Sequence, residues 1–181
     1  ALRGHDDDHR ARGQEQRGRG LPRRPALGEQ DGDLRVAGAG IASEDDPVRG
    51  WDHGVFVPLK LVTPLADVPV VQLSLQAGLD AGAHLAAGRA LAPLRDEGVL
   101  IVGSGMSWHN MRGFSPAFTA RSVAFDAWLE GVVTDPSRRD DTLAHWESAP
   151  YGRVAHPREE HLLPLMVAAA KKFPDVVRAL R

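Results

Sequence analysis

The chain has eight histidines and no cysteines, and this limits the chemistry open to it. Thiol nucleophiles, disulfides and thiolate metal sites are excluded. A metal would have to rest on His, Asp or Glu, a donor set that suits iron, zinc or manganese. Three segments gather such residues: "GWDHGVF" holds Asp52 and His53, "IVGSGMSWHNMRGF" holds His109 and Asn110 behind Gly103 and Gly105, and "AHPREEH" holds His156, Glu159, Glu160 and His161. His109 follows an apolar run closed by Gly-Ser-Gly, which puts it at the C-terminal end of an expected strand, where open α/β sheets hold ligands. Plainer readings compete. His53 also reads as a turn histidine, next to a glycine that lets a ligand or backbone come close. The acids before His161 also read as a charged helix start. His84 lies in a helix-like run and reads as half-buried or surface, and His145 lacks any carboxylate or glycine context. His161 lies five positions after His156, which places them on different helix faces and argues against a ligand pair. "GSGMSW" lacks the third glycine of a phosphate loop. "VGSGM" is not the GxSxG elbow that would make Ser104 or Ser107 a nucleophile. Spacing alone supports a His-based metal site and no further.

Elements must position these residues. "VFVPLKLV" is apolar but broken by Pro58, so a short helix or turn fits better than a central strand. "VPVVQLSL" (68–75) and "GVLIVGSG" (98–105) read as buried strands. Between them, "DAGAHLAAGRALAPLRDE" reads as a helix capped by Asp80, with Leu85, Leu91 and Leu94 at near-helical spacing. Strand, helix, strand makes a βαβ unit with a right-handed crossover. Further helices are expected over "ARSVAFDAWLEGVV", with Val123, Trp128 and Val132 on one face, over "SRRDDTLAHWES", and over "REEHLLPLMVAAAKK", where Pro164 marks a kink or the first turn. "DLRVAGAGIAS" reads as a helix tail. The expected fold class is α/β: a partial mixed or parallel sheet flanked by helices, preceded by a disordered segment.

Bulk composition sets outer limits. The 181 residues suffice for one domain with a core, and 43% hydrophobic against 25% charged residues suits a globular chain. Net charge is −2, without the basic excess of a general nucleic-acid binder. No apolar run approaches the roughly 20 residues of a membrane span, and the first residues lack the apolar centre of a secretory signal. A cytoplasmic setting is the default expectation. Residues 1–50 contain no Phe, Trp, Tyr or Lys. Residues 1–33 read as disordered or as an out-of-frame segment, and 34–181 as an incomplete domain.

Taken together, "DHGVFVPLKLV", "DVPVVQLSL", "GRALAPLRDEGVLIVGSGMSWHNMR" and "APYGRVAHPREEHLLPLMVAA" resemble the class III extradiol ring-cleavage dioxygenases, of the protocatechuate 4,5-dioxygenase beta and DOPA-dioxygenase-like type. The resemblance implies a non-haem Fe(II), or zinc in some relatives, and a small aromatic diol and O2 as reactants. It makes His109 the acid/base residue near the metal and His53 a contact to substrate or oxygen. His161 becomes a metal ligand with Glu160 as fallback, and Asp52, Gly105 and Asn110 become substrate-contact positions. It implies no nucleic-acid or membrane partner and is compatible with a homo-oligomer. The family's two early metal-binding histidines lie upstream of the "DHG" segment, and His5 and His9 lack their context. The expectation is therefore a member incomplete at both ends, with weak or absent iron binding. Trp108 stands where a smaller residue is expected and would reshape the substrate pocket. Two other readings stay open: a non-catalytic pseudoenzyme or interaction domain, and a His/Glu metallohydrolase, which the lack of an HExxH-type motif weighs against.

Overall fold

Helix α1, His53–Val62, begins where Asp52 turns its carboxylate back to accept from the Val55 N–H at 3.1 Å. The computed structural model of the chain describes residue 46 and residues 48–170. The segments 1–33 and 34–44, with His5 and His9 among them, and the lysines at 171–172 lie outside these residues. The short helix expected around Pro58 forms with Pro58 inside it, and none of the helix's residues is buried.

Helix α2, Ala81–Leu91, is capped by Asp80, which accepts from the Ala83 N–H at 2.6 Å, and it tightens into a 3-10 segment at Ala92–Glu97. That segment stops at Gly98, whose φ of 83° is left-handed backbone that glycine adopts without strain. Helix α3 covers Thr119–Thr134 and α4 covers Arg139–Ala144; α5 (Gly152–Ala155) is one turn, and α6 runs Leu163–Ala169. In α3 the buried stripe is Phe125, Leu129 and Val133, spaced four apart. The expected face is offset from this stripe, so Val123 is exposed while Trp128 and Val132 flank the core.

The expected sheet is overturned: among the described residues the chain is helical and contains no strand. Residues 68–75 and 98–105 have strand composition but form no ladder, and a strand exists only where its N–H and C=O rows find a partner. Several of their apolar side chains stay uncovered, with Val71 80% and Leu100 75% exposed, while Leu75 and Ile101 pack partly against the core. The helix expected to cross over a sheet packs on another helix. In α2, a Cβ on Gly88 would overlap the Val167 carbonyl of α6 and come within 2.8 Å of the Ala170 side chain. The missing side chain lets the two backbones close together, and α2 against α6 is the main helix pair. Around it lie Leu85, Phe125, Leu143, Leu163 and Met166, each at most 2% exposed and each contributing about 1.5–3 kcal/mol by burial. Arg139 donates to the Ala169 carbonyl at 3.0 Å, satisfying the C-terminal end of α6 from α4.

Pro164 falls in the first turn of α6, the position that tolerates a missing N–H. The residues "HPREEH" therefore precede the helix as a turn, held by Leu162 and Leu163 N–H groups on the Glu159 carbonyl. The expected acidic first turn is absent, because the helix begins three residues after Glu160. No helix among the described residues is long and apolar enough to cross a membrane.

Candidate metal centre

Two glycines bring the site together. A Cβ on Gly103 would collide with the Pro164 carbonyl, and one on Gly105 would collide with the His161 carbonyl. The loop after residue 102 therefore lies directly on the turn that opens α6, and the Met106 N–H donates to the His161 carbonyl at 2.9 Å. Three residues further on, the His109 N–H donates to the Ala155 carbonyl at 3.0 Å, and the Asn110 side-chain amide donates to the Val154 carbonyl at 2.8 Å. Asn110 also accepts from the Arg112 N–H at 3.0 Å, so its amide is engaged in shaping the loop. Trp108 is 9% exposed and packs edge-on against Phe118 at 6.1 Å, so it belongs to the core and does not reshape an open pocket.

This docking places His109 against His161. Their rings stack with centroids 3.4 Å apart and planes 21° from parallel. Glu160 Oε1 lies 3.8 Å from His109 Nδ1 and 3.4 Å from His161 Nδ1. Ligand atoms of all three residues fall within 4.8 Å of one another. Two of the atoms are buried without a hydrogen-bond partner, Glu160 Oε2 and His161 Nδ1. Buried polar atoms normally find partners, so a cluster holding two such orphans, with a nitrogen and oxygen donor set, fits a divalent cation. Arg158 approaches Glu160 Oε2 at 3.6 Å, but its side chain is 72% exposed and the pair is largely solvent-screened. An imidazole lone pair lies in the ring plane, so nearly parallel stacked rings aim side by side and do not converge on one ion between them. One ring can ligate while the other flanks the bound species.

The remaining candidates fall around this cluster. His53 is exposed, in the first residue of α1, and takes no part in the three-residue group. Its helix still reaches the site's edge, since a Cβ on Gly54 would sit 3.6 Å from Ser104 Oγ. Asp52 caps α1, and its N–H donates to Gln72 Oε1 at 3.1 Å. Glu159 pairs with Arg153 at 2.7 Å, and Arg153 also bonds Glu147 and lies over the Trp146 ring at 4.7 Å. His145 stays exposed. His84 is more buried than its helix position suggested, at 3% exposure, with Nδ1 on the Asp80 carbonyl at 2.6 Å and Nε2 facing the Gln76 N–H at 3.3 Å.

The residue that spacing missed is His156. It follows α5, is fully buried, and packs between Phe125 and Trp146 at ring-centroid distances of 5.5 and 6.0 Å. Its Nε2 lies 3.0 Å from the Ser107 carbonyl. Burial pushes this imidazole below its ordinary value. The Ser107 hydrogen bond opposes that, His109 and His161 add to it, and Glu160 opposes it. No local pattern marks it, because its partner lies 49 residues upstream.

Residues 31–173 match the family model described as the catalytic LigB subunit of aromatic ring-opening dioxygenase. The chain belongs to this family. Among relatives of the ring-opening dioxygenase family, a 4,5-DOPA dioxygenase extradiol from Beta vulgaris is 45% identical over 151 residues, covering 81% of this chain and 56% of its own length. One from Portulaca grandiflora is 42% identical, covering 80% of this chain and 54% of its own length. The crystal structure of the uncharacterized protein JW3007 from Escherichia coli K12 superposes with a TM-score of 0.65 at 29% identity, covering 85% of this chain and 63% of that one. The chain thus spans about half the length of the curated relatives it matches.

Proposed function

We propose that this chain carries part of the centre of an extradiol dioxygenase acting on a small aromatic diol with O2. The observation that carries the reading is the cluster of His109, Glu160 and His161 around two buried orphan atoms. In this proposal His161 and Glu160 hold a non-haem divalent metal, Fe(II) or zinc. When bound, the metal would supply a place for the diol and O2 to meet. His109, stacked on His161, moves the proton. A neutral imidazole carries one basic nitrogen and one N–H, so in this proposal the ring takes a diol proton and returns it to the product. Both atoms of O2 enter the product as the ring bond beside the diol breaks. The His109 N–H bond to Ala155 and the Asn110 tether to Val154 hold its backbone in place, which is the orientation such a transfer needs.

His53, the first residue of α1, remains the proposed contact to substrate or oxygen. Asp52, Gly105 and Asn110 remain proposed substrate-side positions that also shape α1 and the loop. A cytoplasmic setting and a homo-oligomer belong to the same proposal. Oxygen uptake with a catechol and iron, with a yellow ring-opened product that is lost in His109→Gln, is the expected result. Hydrolysis of a phosphate or amide ester without oxygen consumption would overturn the reading in favour of a metallohydrolase.

A further inference from the structure

We propose that His156 is a positioning residue for His109, its Nε2–H clamping the Ser107 carbonyl so that the 107–110 loop presents the His109 ring to His161 and Glu160. The inference deepens the metal-centre reading and rests on it for its consequence, but its geometry stands alone. A carbonyl oxygen only accepts, so the ring nitrogen 3.0 Å from it must carry the hydrogen. The other nitrogen, Nδ1, is buried with no partner, which leaves it the bare side of a neutral ring. Phe125 and Trp146 fix the ring plane. Three hydrogen bonds then join residues 107–110 to 154–156: the Ser107 carbonyl to His156, the His109 N–H to Ala155 and the Asn110 amide to Val154. Only the first depends on a ring that could turn or change tautomer. It lies two residues from His109, so its loss loosens the start of the loop that aims the His109 ring, leaving the bonds at His109 and Asn110. Partners that orient the groups around a metal typically matter about 10–100-fold in affinity or activity.

The test uses the metal-free chain first. Nitrogen NMR of His156 at neutral pH should show the Nε2–H tautomer; an Nδ1–H tautomer or a charged ring overturns the proposal, whatever any variant does. His156→Phe then fills the same space without a donor, while His156→Gln carries a side-chain N–H to a similar reach. The phenylalanine variant should shift the His109 and His161 ring signals and weaken Zn2+ binding about 10-fold or more, and glutamine should restore most of both. Unchanged His109 signals in the phenylalanine variant, or equal losses in both variants, would overturn it. A wild-type chain that binds no Zn2+ but whose His109 signals still move in His156→Phe supports the clamp and refutes the metal reading.

Discussion

Two regions of the molecule treat similar sequence material in opposite ways. Residues 98–105 and 68–75 share an apolar, β-branched composition, yet only the glycine end of the first closes on a neighbouring backbone, while Ile101 and Leu75 pack partly against the core. From Gly103 onward the loop lies on the turn before α6, and its backbone is bonded at Met106 and His109. Upstream, Leu100 and Val102 remain 75% and 62% exposed, as do Val71 and the Leu61 end of α1 at about 80%. The difference shows what organises a site here. Glycines that admit a neighbouring backbone, and polar groups that bond it, fix His109 against His161, whereas apolar character without a facing surface fixes nothing.

That contrast is open to attack from both regions. The largest effect is expected at the core beneath the docked region. Phe125 is fully buried against Trp128 and His156, so Phe125→Ala should cost about 3–5 kcal/mol in denaturant unfolding. A loss under about 1 kcal/mol would mean the core is not packed as described. Next comes Gly105→Ala, whose methyl must push against the His161 carbonyl. It should cost about 1–3 kcal/mol and separate the two histidine rings, detectable as loss of mutual ring-current shifts. Retained stability with unaltered shifts would show that the close approach does not exist.

A smaller effect concerns pH. Burial holds His156 below the ordinary imidazole value, so the native ring refuses a proton that the unfolded chain accepts. The stability is fully present above about pH 6.5 and falls as pH drops below it toward the lower folded value. His156→Phe should flatten the melting-temperature profile across that window, and an identical slope in wild type and variant would contradict the assignment. Least of all is expected in the uncovered region. Val71→Thr, at 80% exposure, should change stability by no more than about 0.5 kcal/mol. A large loss would reveal a partner for that face.

Local signals in the sequence carry far. Asp80 caps the helix it precedes, Pro58 accompanies a helix, and Pro164 marks a first turn, whereas the cap at Asp52 is not legible in its loop-like context. Those features depend on neighbours a few residues apart. The expected sheet fails because β-branched runs report burial and stiffness but not the ladder partner, and the helix between them closes on α6 through Gly88 instead. The site is half legible. His109, Glu160 and His161 can be named from their glycine and acidic company, but not the stack that joins them across more than 50 residues. His156 is invisible as a clamp, because its function lies in one hydrogen bond to a backbone carbonyl that no motif records.

The metal centre itself is tested by a Zn2+ titration of the purified chain beside Glu160→Gln and His161→Ala. If His109, Glu160 and His161 form such a centre, the wild type binds one ion per chain, more weakly than a fully ligated structural zinc site. Each variant then loses at least about 10-fold in affinity while keeping its melting temperature. Equal affinity in all three proteins, or no saturable binding in the wild type, would contradict it.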